Sequence, residues 1–124
     1  MVQICGWMAW NLEFYRNSDG TAPVEEFFNT LEVADLAKIH RNLDLLEEFG
    51  IQLRFPYVSH VGDKIWELRT KASGRNYRVL HFSFTGRRIV LLRAFEEISS
   101  KIPPGDLKLA RRRYEIFIEK EGKE

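Results

Sequence analysis

The stretch WELRTKASGRNYRV, Trp66 to Val79, carries Arg69, Lys71, Arg75 and Arg78 against a single acid, Glu67. Fixed cations at alternate positions of a strand are suited to a polyanion, because a guanidinium contacts phosphate through two parallel N–H donors and a partly dry setting strengthens each contact. Side chains alternate across a strand, so Trp66 and Leu68 share one face while Glu67, Arg69 and Lys71 share the other. Arg78, and Arg93 further on, join them if the register of the neighbouring strands allows it. Leu80, Phe82 and Phe84 share a face with Arg78, and Ile89, Leu91 and Phe95 share one with Arg93, so the register is not legible. Two strands that are apolar on both sides and hold an arginine suggest a concave floor, part greasy and part cationic. Tyr57, Tyr77 and Phe82 are candidates to stack on bases. The competing reading is that Arg69 and Arg78 pair with acids elsewhere in the chain and that Arg75, Arg87 and Arg88 decorate turns.

The elements that must position these residues follow from hydrophobic period. Trp10, Leu12 and Phe14 alternate with polar positions as in a half-buried strand. NSDGTAPVEEFF then supplies a turn, a cap candidate in Thr21, and a proline and acids suited to a helix start, predicting a helix over about 23–31. Leu36, Ile39, Leu43, Leu46 and Phe49 recur at three- and four-residue spacing over 33–49, and Gly50 is placed as the C-terminal cap. A loop, IQLRFPYVSHVGD, leads to strands over about 64–71, 77–84 and 87–95, joined by SGRN and TG turns and therefore antiparallel. Leu107, Leu109, Ala110, Tyr114, Phe117 and Ile118 mark a last helix. The expected class is α+β, in the order βααβββα, with helices packed on one face of a sheet.

With 124 residues, 44% of them hydrophobic and 30% charged, the expectation is one ordinary soluble domain. No apolar run approaches a membrane span, and a lone cysteine, Cys5, excludes an internal disulfide, so a cytoplasmic setting is expected. Net charge is +1, yet residues 1–50 hold three bases against nine acids, whereas residues 51–95 hold nine bases against two acids. Such asymmetry points to a polyanionic partner for the basic part. No pair of His residues, or of His with Cys, has metal-ligand spacing, and no cofactor is expected.

GDKIWELRTKASGRNYRVLHF, followed by RRIVLLRAFEE and SKIPPGDLKLARRRYEIF, resembles the HigB-like branch of the RelE/ParE toxin superfamily, a phage-related group. The resemblance runs over residues 8–124, with MAWNLEFY and GTAPVEEF included, and leaves residues 1–7 as an extension. It rests on the combination of WELR, YRV and the later K-x-P-P-x-D/E-x-x-x-A pattern. It implies the RelE-like βααβββα fold and a type II toxin–antitoxin toxin: an mRNA interferase that cuts mRNA on the translating ribosome and is neutralised by a cognate antitoxin. The implied chemistry is metal-free attack of a ribose 2′-hydroxyl on the adjacent phosphate, giving a 2′,3′-cyclic phosphate. That reaction needs a base, an acid and cations for the charge on phosphorus. By the resemblance Arg78, in YRV, stabilises the phosphate, Arg69 follows, and Lys71 serves as base if neighbouring cations disfavour its protonated form. Arg75, Arg93, Lys101 and Arg112 are further candidates for RNA contact, and His81, Glu97 and Tyr114 for acid or base. His40, His60 and His81 sit in no motif.

One departure stands out. Relatives commonly carry a lysine pair after the last strand's phenylalanine, in a stretch like F-x-K-K-T-x-K-T-P, where this chain has Glu96 and Glu97 after Phe95. Carboxylates facing a polyanion lower affinity. Either they turn away, or cleavage is weakened or lost, or one has become the base. The alternatives to an endoribonuclease are a ParE-like gyrase inhibitor without nuclease chemistry, or a decayed phage protein that only binds nucleic acid or antitoxin.

Overall fold

The computed structural model describes residues 9–99 and 101–122. Its elements run β1 (Asn11–Phe14), α1 (Pro23–Phe28), α2 (Val33–Phe49), a 3₁₀ turn (Gly50–Gln52), β2 (Val58–Gly62), β3 (Ile65–Ala72), β4 (Arg75–Phe84), β5 (Arg88–Glu97) and α3 (Pro104–Lys120). The α+β, RelE-like class stands. The sheet has five strands in the order β1-β5-β4-β3-β2, antiparallel throughout except that β1 runs parallel to β5.

Three local expectations change. The segment read wholly as a loop contains β2, whose Val58, Ser59 and His60 pair with Leu68, Glu67 and Trp66; at five residues, bracketed by Pro56 and Gly62-Asp63, it is too short for a clear alternation. α1 ends at Phe28 and is followed by turns at Thr30 and Leu31. Thr21 does not cap it: Ala22 holds the cap position, and the Thr21 hydroxyl donates to Asp19 at 2.7 Å. Gly50 does close α2, with φ +55 and its N–H on Leu46 O. A residue with a Cβ there would strike the Trp10 indole.

The expectation of helices on one face is corrected. α1 and α2 cover one face, where Val24, Phe28, Ile39, Leu43 and Leu46 pack on Leu68, Val79, Ile89 and Leu91. α3 lies on the other, with Ala110, Tyr114 and Phe117 against Leu80, Phe82, Val90 and Leu92. The cause is the doubly apolar character of β4 and β5: both faces of those strands must be covered. Phe82 meets Tyr114 and Phe117 edge-on, at centroid distances of 4.7 and 5.5 Å, a geometry adding roughly 1 kcal/mol per pair beyond burial. α3 stops short of the β3–β4 hairpin, so the sheet beneath that hairpin stays uncovered on this side.

Ser73 and Gly74 make the hairpin, with φ of +55 and +76, the pair of positive values that a tight two-residue turn needs to match strand twist. Its other face is tied to α2 by the buried Asp35, which accepts from Ser73 Oγ at 2.6 Å and Tyr77 Oη at 2.5 Å. Those two hydroxyls hold the Asp35 carboxyl below its ordinary range, against the effect of burial.

Candidate nucleic-acid interface

Register places the chemistry in rows across the open face. Lys71, Asn76 and Glu97 form one row over β3, β4 and β5; Arg69, Arg78 and Phe95 form the next; Glu67, Leu80 and Arg93 form the third. Directly paired residues share a face, so the first two rows line one concave surface. Arg69, Lys71, Asn76 and Arg78 are common to two adjoining hollows of about 280 and 410 Å³, the first reaching Tyr57 and Asn42, the second Glu97 and Ile98. The three mid-strand cations thus converge on an open floor.

That floor is partly neutralised. Arg69 and Arg78 stand opposite each other, an arrangement that repels. Glu67 lies between them, with Oε2 3.1 Å from Arg69 Nη1 and Oε1 3.3 Å from Arg78 Nε, while Ser59 Oγ donates to Oε2 at 2.6 Å. Arg78 also donates from Nη2 to Glu97 Oε1 and from Nη1 to its neighbour's carbonyl, Tyr77 O. Arg78, Glu67 and Glu97 are all buried. Arg78 Nε and Glu67 Oε1 attract as charges without an aligned hydrogen bond. Three cations against two carboxylates leave one net positive charge.

Other expected residues fall elsewhere. Arg93 turns under α3, its Nε 2.7 Å from Asp106 Oδ1, because a bulge between Leu80 and His81 shifts the register there. Arg75 points to the helix-covered side, 3.9 Å from Asp35 and 3.8 Å from Glu96. Glu96 therefore turns away from the floor, and Glu97 turns into it. Lys101 is exposed in the segment before α3, and Arg112 is exposed on α3. Tyr114 is held against Phe82. Tyr77 and Phe82 are buried and cannot receive a base, leaving Tyr57 of the three aromatics named.

His81 lies on the face under α2, near Leu46, Val58, Trp66 and Ile89. Its Nδ1–H donates to Val79 O at 3.2 Å, and burial pushes its pKa down to about 4, so the ring is neutral at physiological pH. It has no access to the floor. Cys5 lies outside the described residues, as does the expected extension over 1–7.

Residue typing missed three participants. Glu67 was placed on the face of Arg69 and Lys71 but given no part in the site, although it pairs with both Arg69 and Arg78. Phe55, 69% exposed with the Arg69 guanidinium 5.2 Å from its ring centroid, lacked any motif. Asn42 on α2 reaches the floor by tertiary packing alone, donating to Arg69 O at 3.0 Å.

Among the described residues no helix is long and apolar enough to cross a membrane, and no three His, Cys, Asp or Glu side chains are grouped to hold a metal ion. No curated protein matches the chain. A family model does match, over residues 26–115, from α1 into α3 and spanning the whole cationic floor. The chain belongs to the family described as Phage derived protein Gp49-like (DUF891).

Proposed function

We propose that this Gp49-like chain is a toxin-like endoribonuclease of the HigB/RelE kind, cutting mRNA on the translating ribosome and restrained by a cognate antitoxin in the cytoplasm. The observation that carries the reading is the convergence of Arg69, Lys71 and Arg78 on one open floor. Lys71, exposed, and Arg69, about one third exposed, meet the phosphate; Arg78 supplies fixed charge as the phosphorane forms. Of the acid or base candidates His81, Glu97 and Tyr114, Glu97 is the one lining the floor, and it is assigned the 2′-hydroxyl proton. The oxygen attacks the adjacent phosphorus, the 5′-oxygen leaves with a proton from solvent or Lys71, and a 2′,3′-cyclic phosphate remains.

A second reading is favoured by one observation. Arg78 already donates to Glu97 and Tyr77 O and its charge is met by Glu67 as well, which fits a toxin that binds its target without nuclease chemistry, as a gyrase inhibitor does. Purified protein added to a reconstituted translation extract divides the two. The nuclease reading expects discrete mRNA cuts that require translating ribosomes and upstream fragments ending in cyclic phosphate. Intact mRNA, with inhibited supercoiling in a parallel gyrase assay, would establish the second reading instead.

A further inference from the structure

Beside the cationic floor the chain exposes aromatic surface that packing does not explain. Phe55 is 69% and Tyr57 41% exposed, in the short segment between the 3₁₀ turn and β2. That segment is held firmly. Tyr57 N–H donates to Arg54 O at 3.0 Å, and Tyr57 O accepts from Arg69 N at 2.7 Å, fastening it to the edge of β3. Arg69 therefore connects three things: its backbone anchors Tyr57, its guanidinium lies over the Phe55 ring, and its charge belongs to the floor. Asn42, whose amide nitrogen donates to Arg69 O and Thr70 Oγ1, lines the same hollow as Tyr57 and Lys71.

Fixed cations beside a rigid aromatic face make the arrangement that takes a nucleotide: charge for the phosphate, a π surface for the base, and a polar group for the base edge. A base inside a duplex has both faces covered by its neighbours, so only an unpaired one can use the ring. We propose that Tyr57, flanked by Phe55, is the stacking platform for one unpaired base of a single-stranded RNA whose adjacent phosphate lies on Arg69 and Lys71. The inference rests on the RNA reading above and adds to it the residue that receives a base. Stacking accepts every base, so the sequence preference at this position is weak.

The test is fluorescence anisotropy with a short labelled single strand carrying 2′-O-methyl riboses, which cannot be cut, beside a strand of equal length that is abasic throughout. Tyr57→Ala weakens binding of the base-bearing strand about tenfold. Tyr57→Phe binds like wild type, and the abasic strand is bound equally by wild type and Tyr57→Ala. Lys71→Ala weakens both strands. Equal binding of the base-bearing strand by Tyr57→Ala and wild type, with the Lys71 effect present, overturns the stacking platform and leaves the RNA reading intact. An equal loss on both strands assigns Tyr57 a structural role and also overturns it. Wild type that binds neither strand at low salt removes the RNA reading and this inference together.

Discussion

Glu97 of β5 lies diagonally across from Arg78 of β4, its carboxylate on the guanidinium, with both side chains buried and Glu67 on the opposite flank. The relationship follows from register, since Arg78 pairs with Phe95 and Glu97 stands two residues further along the same face. It places two carboxylates where a bound phosphate would otherwise have the arginine to itself.

Removing Arg78 leaves those carboxylates buried without their cation. Arg78→Ala is expected to cost about 3–5 kcal/mol in urea denaturation. Combining Arg78→Met with Glu67→Gln and Glu97→Gln recovers most of it, because no buried charge is then left unpaired and Arg69, which loses Glu67, is about one third exposed to solvent. A loss below about 1 kcal/mol for Arg78→Ala would mean that the network does not support the fold.

Glu97→Gln should act with opposite signs on binding and cleavage. Losing a negative charge beside the floor tightens binding of a non-cleavable RNA strand roughly tenfold at low salt. Losing the base lowers single-turnover cleavage about 10²- to 10⁴-fold. Tighter binding with faster cutting would identify Glu97 as a competitor for Arg78 and not as the base.

How much of this was legible in the sequence depends on what each feature is set by. The hydrophobic period gave α2 to the residue, and alternation put Arg69 and Lys71 on one face, because both are local properties. The doubly apolar β4 and β5 were also visible, but whether their second face forms a floor or takes a helix depends on where α3 docks. In the structure it does both: α3 covers the stretch from Leu80 onward and leaves the hollows that the buried Arg78 helps line uncovered. The fate of Arg93 turned on a bulge, and that of Glu96 and Glu97 on their side of a strand continuing past Phe95. Register and bulges are fixed by long-range pairing, which no single stretch encodes.

The buried His81 predicts a pH window. Its folded pKa, about 4, lies below the ordinary 6.5, so its contribution is complete above pH 6.5 and is lost as pH falls toward 4, by up to about 3 kcal/mol. His81→Asn, which keeps a donor for Val79 O and does not titrate, should flatten thermal stability between those values. Asp35, with its carboxyl held below 3.8, adds a separate loss only below that pH. Parallel pH profiles for wild type and His81→Asn would contradict the assignment.

Gly50 and Trp10 should behave as a coupled pair. Gly50→Ala meets both a positive φ and the indole, so it is expected to destabilise by more than about 1 kcal/mol and to shift tryptophan emission. Combined with Trp10→Ala, it should cost less than the sum of the single changes. Strict additivity in thermal denaturation would show that the indole does not occupy this place.

The central claim is that the floor of Arg69, Lys71 and Arg78 cuts RNA, and Lys71 offers the cleanest access to it, being exposed and outside the buried ion network. The measurement is primer extension of mRNA from a reconstituted translation extract given wild type, Lys71→Ala or Lys71→Arg, with equal folding checked by circular dichroism. The account predicts discrete cuts by wild type, loss of at least about tenfold for Lys71→Ala, and partial recovery for Lys71→Arg. Uncut mRNA with wild type, or identical cutting by Lys71→Ala, would contradict it.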